Sequence, residues 1–443
     1  MSTKWYIITL LALGLLTRFM FFGHPNETVF DEVHFGKFIS GYYTGEYFFD
    51  IHPPLGKLAI AGFAKLSNFE PGFAFAEIGN KYPDKQYMIL RFLPSLAGAL
   101  LPLVIFLLAM EMGFAPLYAF AAGVLIVLEN GILTQSHYIL MDSFLLLFGF
   151  ASLLFYFRYT KYNIQNTKYL FLFGLFSGLA ISVKWTGLGF LALPLIFEFI
   201  TIIWNKKFKS LITVLLPPLA TAILIYFIFF TAHLVVLNKS GPGDAFMSQG
   251  FQKTLTGNKH ESDGNVKPSN ILQKFNELNV EMYKANQRLT AEHPYSSAWY
   301  TWPFMTRTIY YWVDSNSRIY LIGNPVIWWL ATVAILFLIA NYMANFKNSF
   351  KFLPTFLISG YVLNLLPFIG VKRVMFLYHY FTALIFSILI LIYFLNTRKS
   401  SKWIIGTLIA ISTISFFYFA PLNYGLELSP KAYEARVWLD SWK

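Results

Sequence analysis

The sequence predicts an all-α polytopic membrane protein, and three observations support this prediction. Of the 443 residues, 56% are hydrophobic and only 13% are charged, whereas about a quarter of an ordinary soluble domain is charged. Eleven apolar runs are each long enough to cross a hydrocarbon core about 30 Å thick, which takes roughly 20 residues. Basic residues between the runs lie on one side of the resulting topology. A chain of several water-soluble domains is therefore excluded.

Polar or turn-forming breaks separate the eleven apolar runs, and each run is predicted to be a transmembrane helix. The first run is expected to be a retained helix rather than a cleaved signal peptide, because no small-residue cleavage site follows it. The predicted spans are residues 5–22, 88–112, 114–132, 138–157, 168–183, 187–204, 211–234, 324–343, 353–370, 374–395 and 403–420.

The short connections indicate the orientation of the chain. Twelve bases and no acid lie in the N-terminal segment and in alternate connections, which predicts a cytoplasmic N-terminus and an outside C-terminus. The net charge of +12 is then a topology signal, and nucleic acid is not a predicted partner. The twelve bases are Lys4, Arg158, Lys161, Lys168, Lys206, Lys207, Lys209, Lys347, Lys351, Arg398, Lys399 and Lys402.

Two long polar segments are predicted to face outward within a single membrane domain of residues 1–443. The first outer loop covers residues 23–87 and contains two adjacent acids. The long outer loop covers residues 235–323, and within it residues of about 269–290 have apolar side chains at helical spacing. We expect this segment to form a helix that lies along the membrane surface.

Most ionisable side chains in or near the spans fall toward the outer side. Such groups are costly in a membrane and indicate a function or a specific partner, so we expect a cavity open to the outer face. A single Arg or Lys at a span end could instead be a snorkelling anchor, Asp142 could cap a helix, and a lone His could be a packing residue. The outer set is Asp31, Glu32, His34, His52, Lys57, Arg91, Glu129, His137, Asp142, Lys184, His233, Lys372, Arg373 and His379.

The chemistry of this set suits transfer of a sugar from a lipid phosphate. A hydroxyl that attacks a sugar carbon needs one carboxylate as general base, and Asp31 and Glu32 are the candidates. A lipid phosphate leaves as an anion and needs cations, such as Lys57 after the rigid turn that begins at His52. A divalent-metal site is an alternative, but no HExxH spacing supports it. The absence of cysteine excludes disulfides, zinc ribbons and thiol nucleophiles.

Several longer motifs resemble the protein O-mannosyltransferase family. They extend from the first outer loop to the tenth predicted span, and their order along the chain also agrees with that family. The motifs are Asp31-Glu32-Val33-His34-Phe35-Gly36, Phe49-Asp50-Ile51-His52-Pro53-Pro54-Leu55-Gly56-Lys57, Leu90-Arg91-Phe92-Leu93-Pro94, Thr134-Gln135-Ser136 with Leu140-Met141-Asp142-Ser143, Ser182-Val183-Lys184-Trp185-Thr186-Gly187-Leu188, Ser240-Gly241-Pro242-Gly243-Asp244-Ala245-Phe246-Met247-Ser248, His293-Pro294-Tyr295-Ser296-Ser297 with Trp302-Pro303, and Phe376-Leu377-Tyr378-His379-Tyr380.

The resemblance implies a GT-C glycosyltransferase fold with eleven spans. Its expected activity is transfer of mannose from polyprenyl-phosphate mannose to Ser or Thr hydroxyls of proteins outside the cytosol, with inversion at the anomeric carbon. The family's acidic pair corresponds to Asp31 and Glu32, with Asp31 as general base and Glu32 orienting the acceptor or the sugar. No cofactor is expected beyond the divalent metal that stays an alternative. The expected partners are the lipid donor, acceptor proteins and the bilayer, and a dimer is a further alternative.

If the resemblance holds, the remaining candidates can be given roles from their charge and from their predicted position on the outer side. Arg91 and Arg373 are expected to hold the donor phosphate, with Lys57 and Lys184 as further phosphate contacts. Additional donor-site candidates are His52, Asp142 and His379. The candidates for the acceptor side and the outer loops are His34, His137, Asp244 and His293.

The sequence departs from eukaryotic members at three places. The loop after span seven has fewer than about ninety residues, so it lacks the β-trefoil domain that eukaryotic members carry there. His137 stands where many of them have Arg, and Glu129 where they often have Asp. The chain is therefore similar to a prokaryotic member, which implies a shorter polyprenyl donor and a plasma membrane location.

Two other functions stay open at this level. A related GT-C transferase could use another lipid-linked sugar or a lipid acceptor. A transporter or flippase is the alternative from a different class, although such proteins often show internal repeats and none is evident here.

Overall fold

The computed structural model describes residues 2–162, 167–288, 293–344 and 351–443. These ranges form a bundle of long apolar helices, with short helices, loops and a small sheet at one end. The helices are α1 (Thr3–Phe19), α2 (Glu32–Thr44), α3 (Leu55–Leu66), α4 (Tyr87–Glu111), α5 (Pro116–Val127), α6 (Asn130–His137), α7 (Asp142–Tyr162), α8 (Lys168–Val183), α9 (Leu188–Trp204), α10 (Leu216–Val236), α11 (Gln249–Gln252), α12 (Ile271–Arg288), α13 (Pro325–Ala344), α14 (Phe352–Leu363), α15 (Phe381–Thr397), α16 (Lys402–Tyr424) and α17 (Pro430–Glu434), and the strands are β1 (Ile309–Asp314) and β2 (Ser317–Leu321).

The bundle confirms the predicted class of a polytopic helical membrane protein. Within the described ranges, eight helical segments are long and apolar enough to cross a membrane, and α5 with α6 qualifies as one bent pair. All eleven predicted spans overlap helices of the bundle. The count of eleven crossings stays a prediction, because α1 and α8 contain only 17 and 16 residues.

Several residues that were predicted to lie on the cytoplasmic side contact one another at one end of the bundle. Glu111 at the end of α4 forms ion pairs with Arg158 and Lys161 at the end of α7. Asn396 at the end of α15 and Ser400 just after it accept hydrogen bonds from Ala115 N and the Tyr118 hydroxyl at the start of the α5 segment. Two parts of the predictions lie outside the described residues. They are Lys347, one of the twelve bases predicted to be cytoplasmic, and residues 289–290 of the predicted surface helix.

The third predicted span, 114–132, is corrected to a helix broken at residues 128–129, where α5 and α6 meet at 56°. Buried Arg18 of α1 donates to the carbonyls of Ile126 and Val127, at 2.9 and 2.8 Å. Glu129 caps α6 by accepting from Ile132 N at 2.6 Å. The bend is stable inside the bundle because the free carbonyls at the end of α5 and a free amide at the start of α6 both have hydrogen-bond partners there. It directs the end of α6 toward the first outer loop.

The short helices, loops and small sheet at the end of the bundle that contains the outer loops form the outer layer. This layer contains an antiparallel hairpin, so the prediction of an all-α fold is corrected in that one detail. Strands β1 and β2 pair from Ile309 with Leu321 to Asp314 with Ser317. Ser315 has a φ of 54° in the two-residue turn between them. The aromatic and β-branched residues on both sides of this polar turn are typical of a hairpin and could have predicted it.

The C-terminal segment lies across this hairpin and secures it. The Leu428 amide donates to Asn316 O at 3.1 Å, and the hydroxyls of Tyr320 and Tyr433 are 2.8 Å apart. Trp442 is 2% exposed and its indole donates to Met305 O at 2.8 Å. The chain end therefore packs as part of the outer layer.

Replacing Trp442 tests this packing. Trp442→Ala is expected to lower the free energy of unfolding in detergent by about 3–5 kcal/mol, since it removes a large buried ring. Trp403→Ala is the control, because that ring is 86% exposed at the start of α16, and it should change stability by less than about 0.5 kcal/mol. Equal effects of the two substitutions would contradict the assigned packing.

Candidate functional site

A cavity of about 460 Å³ lies where the outer loops meet the bundle, a volume typical of small-molecule sites. Its wall combines ionisable groups with apolar and aromatic side chains. Five of the six ionisable residues were predicted for the site, and Asp50 is the addition. The six are Asp31, His34, Asp50, His52, His293 and Arg373.

Asp31 is half-buried at the start of α2 and lines this first cavity. Its carboxylate accepts no hydrogen bond and forms no ion pair within the described part of the chain. Phe30, just before it, has a φ of 46°, a conformation that non-glycine residues rarely adopt without tertiary support. The support comes from Tyr311, whose ring stacks on Phe30 at 4.0 Å and whose carbonyl accepts from Phe30 N.

Burial raises the pKa of Asp31 from 3.8 to about 6, against the opposing effects of the His34 ring and the Lys184 ammonium. Desolvation disfavours the charged form of the carboxyl. The group is therefore a stronger base than an ordinary aspartate and is still ionised at neutral pH. A pKa near the working pH suits a general base.

Glu32, the neighbour of Asp31, points away from the cavity and is completely buried against Arg91. Two nitrogens of Arg91 donate to the two Glu32 carboxylate oxygens, each at 2.7 Å. The guanidinium also donates to the carbonyls of Pro25 and Glu27, both at 2.8 Å. Glu32 accepts further bonds from Val29 N and Ile139 N. Bidentate geometry and full hydrogen bonding make this pair a stable buried unit.

This geometry corrects the roles expected of Glu32 and Arg91. Neither residue lines the cavity, and both have 0% exposed side chains. Arg91 cannot hold a donor phosphate in this arrangement, because its donors are engaged by Glu32 and by backbone carbonyls. The pair instead anchors the first outer loop to α4 directly beside Asp31.

Lys57 is also engaged by a protein partner. Its ammonium contacts Asp50 and donates to His52 O at 3.0 Å. Burial by itself raises the pKa of Asp50, but the Lys57 ammonium and the His52 ring more than offset this and hold that pKa well below its usual range. Burial lowers the pKa of His52 to about 4 despite the nearby Asp50 carboxylate. At neutral pH the cavity thus contains a neutral His52 beside an ionised Asp50.

A second cavity of about 230 Å³ continues from the first, and Lys184 and Arg373 line its wall. The two share Ile51, His52 and Arg373 in their walls. Lys184 lies in the second cavity and donates to both Asp142 oxygens at 2.8 and 2.9 Å. The other polar groups of its wall include His379, whose ring nitrogen is 3.5 Å from Arg373.

An apolar groove of about 370 Å³ follows the second cavity, between the start of α9 and the segment of residues 363–371 at the end of α14. The groove and the second cavity share five wall residues, among them Trp185 and His379. The three spaces therefore run in series from a free carboxylate, through a pair of cations, to an apolar surface between membrane-length helices. That sequence of environments suits a ligand with a polar head, an anionic centre and a long apolar chain.

Two residues predicted for the acceptor side lie away from these cavities. His137 is buried, with its ring 3.4 Å from Thr17 O and edge-on to Tyr424. Asp244 stabilises a turn by accepting from Ser240 Oγ, Gly241 N and Asn258 Nδ2. The predicted contact of these two residues with the acceptor is therefore corrected. Both have a structural role, because their polar atoms are engaged by other groups of the protein.

The sequence reasoning also missed residues that line the cavities. Asp50 belongs to the motif that begins at Phe49, and its position two residues before His52 is the signal that could have identified it. Asn286 lies on α12, where the sequence shows only an amphipathic helix. In the described ranges, no three His, Asp or Glu side chains are grouped as a metal site would require.

Comparison with protein families gives two matches that follow each other along the chain. The family model described as "Dolichyl-phosphate-mannose-protein mannosyltransferase" matches residues 8–238. The model described as "C-terminal four TMM region of protein-O-mannosyltransferase" matches residues 271–442.

Individual relatives agree with these models. Dolichyl-phosphate-mannose–protein mannosyltransferase 1 of Candida albicans is 35% identical over 279 residues, which are 58% of this chain and 31% of the relative. Protein O-mannosyltransferase 1 of Drosophila melanogaster is 34% identical over 271 residues, 56% of this chain and 30% of the relative. The matched part thus spans about a third of the length of these curated relatives.

Solved structures support the fold. The Saccharomyces cerevisiae protein O-mannosyltransferase Pmt1–Pmt2 complex bound to the sugar donor is similar with a TM-score of 0.92 and 22% identity, covering 100% of this chain and 93% of that one. An Archaeoglobus fulgidus oligosaccharyltransferase is similar with a TM-score of 0.53 and 14% identity, covering 98% and 58%. The helical bundle therefore has the GT-C fold.

The buried pair of Glu32 and Arg91 can be tested by stability. Arg91→Met leaves the Glu32 carboxylate buried without its cation and should lower the free energy of unfolding by about 3–5 kcal/mol. The double variant Glu32→Gln/Arg91→Met should regain part of that loss. Arg288→Met is a matched control, because Arg288 is 67% exposed and pairs with Glu281, and such a pair is worth only about 0–1 kcal/mol. Equal losses in Arg91→Met and Arg288→Met would contradict the anchoring role.

Proposed function

The chain belongs to the family of dolichyl-phosphate-mannose-protein mannosyltransferases, and from this premise we propose that it transfers mannose from a polyprenyl-phosphate donor to Ser or Thr hydroxyls of proteins. The observation that supports this function best is the Asp31 carboxylate, which has no partner among the described residues and lines a cavity continuous with the one that contains Arg373 and Lys184. A base and a phosphate-binding pair are the two elements that the reaction needs.

In the proposed reaction, Asp31 is the general base. The acceptor hydroxyl oxygen forms a bond to the anomeric carbon while its proton passes to the Asp31 carboxylate. The bond between that carbon and the phosphate oxygen breaks, and the electron pair leaves with the polyprenyl phosphate. Attack from the face opposite the phosphate inverts the configuration, so a β-linked donor gives an α-linked mannose.

Arg373 and Lys184 stabilise the departing phosphate in this proposal. Charge develops on the phosphate oxygens as the bond breaks, and preorganised cations lower the barrier more in a cavity of low dielectric than in water. His379 and neutral His52 add polar contacts without further charge. Asp142 holds Lys184 in place, while Glu32 and Arg91 keep the loop that contains Asp31 against α4.

The apolar groove between the start of α9 and the end of α14 is the proposed site of the polyprenyl chain. A chain that emerges between membrane-length helices stays in the hydrocarbon region, which explains why the transferase is built from such helices. His34 and His293 lie on the first cavity, on the side open to the acceptor. We propose that acceptor proteins enter there.

The membrane face at which the reaction occurs and the length of the donor lipid are further parts of the proposal. The reaction is proposed to occur at the outer face of the plasma membrane, since the cavities lie at the end opposite the basic connections. The named relatives are dolichyl-phosphate-mannose transferases, whereas a shorter polyprenyl donor is proposed here. A single membrane domain and a dimer also stay predictions.

Replacing the proposed base gives the first functional test. Asp31→Asn should lower mannose transfer to a Ser/Thr-rich peptide by about 10²–10⁴-fold, because the side chain can no longer accept the proton. The assay uses membranes that contain equal amounts of folded protein. Asp84→Asn is the matched control, since Asp84 is exposed in the same outer loop, and its rate should equal that of the wild type. Transfer at the wild-type rate in Asp31→Asn would refute the assignment.

A panel of lipid-linked sugars in the same assay identifies the donor. Transfer only from a sugar other than mannose would favour the related transferase. Lipid flipping without any transfer, unchanged in Asp31→Asn, would favour the flippase.

The pH dependence of the reaction follows from the raised pKa of Asp31. The carboxylate form is the active base, so kcat/KM should rise with pH through about 6 and level off above it. An ordinary aspartate would place this limb near pH 3.9. A rate profile measured from about pH 4 to pH 8 distinguishes the two cases, and a limb near 4 would contradict the effect of burial.

A further inference from the structure

The C-terminal end of α12 covers the cavity that contains the cations. Tyr283, Asn286 and Gln287 of this helix form part of the wall of the second cavity. Their helix is amphipathic, and its buried face includes Leu278 and Met282. The helix also packs on α10, where Phe275 contacts the rings of Tyr226, Phe227 and Phe230. A surface helix thus reaches from α10 to the centre of the proposed donor site.

Asn286 joins three parts of the site through one amide group. Its Oδ1 accepts from Arg373 at 2.6 Å. Its Nδ2 donates to Ile51 O in the first outer loop at 3.1 Å and to Met282 O of its own helix at 2.9 Å. Both polar atoms of the side chain are therefore used, which sets the direction of the amide.

Arg373 has few other constraints. It forms no ion pair with the described residues, and its other hydrogen-bond contact is to His379 at 3.5 Å. A long arginine side chain with free rotation loses entropy when it binds a ligand. One fixed acceptor at 2.6 Å limits that freedom, while the remaining N–H groups stay available to an anion.

A second polar contact holds the same helix two turns earlier. The Tyr226 hydroxyl of α10 donates to Asn279 Oδ1 and accepts from the Trp185 indole at 2.9 Å. Trp185 lines both the second cavity and the apolar groove. Asn279 and Asn286 are seven residues apart and so lie on one face of α12. The helix is thus fastened at both ends of the cation-containing cavity.

We propose that Asn286 is a positioning residue, which aims the Arg373 guanidinium at the phosphate of the lipid donor and makes α12 the cover of the donor site. This inference rests on the proposed function. Asn286 acts through Arg373 and takes no part in the bond changes. The ligand class is a lipid phosphate monoester or diester, recognised by its anionic oxygens.

Kinetics and binding together test the proposal. Asn286→Ala is expected to lower kcat/KM for the polyprenyl-phosphate mannose donor by about tenfold, the lower end of the loss seen when hydrogen-bond partners of metal ligands are removed. KM for the acceptor peptide should stay unchanged. Inhibition by polyprenyl phosphate without the sugar should weaken about tenfold as well. Asn276→Ala is the matched control on the exposed face of α12 and should behave as the wild type.

A double-mutant cycle distinguishes positioning from general damage. In an Arg373→Ala background, Asn286→Ala should change kcat/KM by less than about twofold, because residues that act through one another are not additive. If Asn286→Ala does not fold, Asn286→Asp is the variant to measure, because it keeps the size of the side chain. Its carboxylate pairs with Arg373 and should therefore weaken the binding of polyprenyl phosphate. A full tenfold effect in the Arg373→Ala background, or unaltered binding in Asn286→Asp, would overturn the proposal.

Failure of this inference can be separated from failure of the proposed function. If the wild type transfers no mannose, direct binding of polyprenyl phosphate to purified wild type and Asn286→Ala still compares the phosphate site. If the wild type transfers mannose and Asn286→Ala equals Asn276→Ala, only the positioning role is wrong.

Discussion

The buried ion pair of Glu32 and Arg91 is the interaction on which the outer layer depends. One guanidinium binds both Glu32 oxygens and two carbonyls of the preceding loop, and Glu32 also accepts from Ile139 N after the bent pair. Three separate parts of the chain therefore meet at one charge pair. Burying two charges is costly, and this site offsets the cost with hydrogen bonds to nearly every polar atom involved. The loop that contains Asp31 has a defined position as a result.

The two adjacent acids consequently have opposite roles. Glu32 is completely buried and engaged, whereas Asp31 is half-buried and uncommitted within the described residues. The helical turn that begins there separates the two carboxylates, so one faces α4 and the other faces the cavity. The stacking of Phe30 on Tyr311 supports the strained backbone in front of them. Glu32 thus stabilises the structure, whereas its neighbour Asp31 is the proposed catalytic base.

The cations differ in whether they reach a cavity. Arg91 and Lys57 are paired with Glu32 and Asp50 and line none of the three cavities. Lys184, which is paired with Asp142, and Arg373 both line the second cavity next to the apolar groove. Of the candidates assigned from charge and sidedness, those that line the cavities are Asp31, His34, His52, His293, Lys184, Arg373 and His379. Arg91, Lys57, His137 and Asp244 do not line them, because a lone sequence shows that a polar group is present but not which partner in the protein engages it.

Composition and hydropathy by themselves determined the membrane class and the approximate helices, because lipid requires every span to satisfy its own backbone polar groups. The order of the motifs determined the family. The tertiary structure alone decided the bend between α5 and α6, because its free carbonyls are bound by Arg18 from a distant part of the chain. It also decided the hairpin, which the C-terminal segment secures. It also decided which acid is free and that Asn286 meets Arg373, because contacts between residues 87 positions apart have no periodicity along the chain.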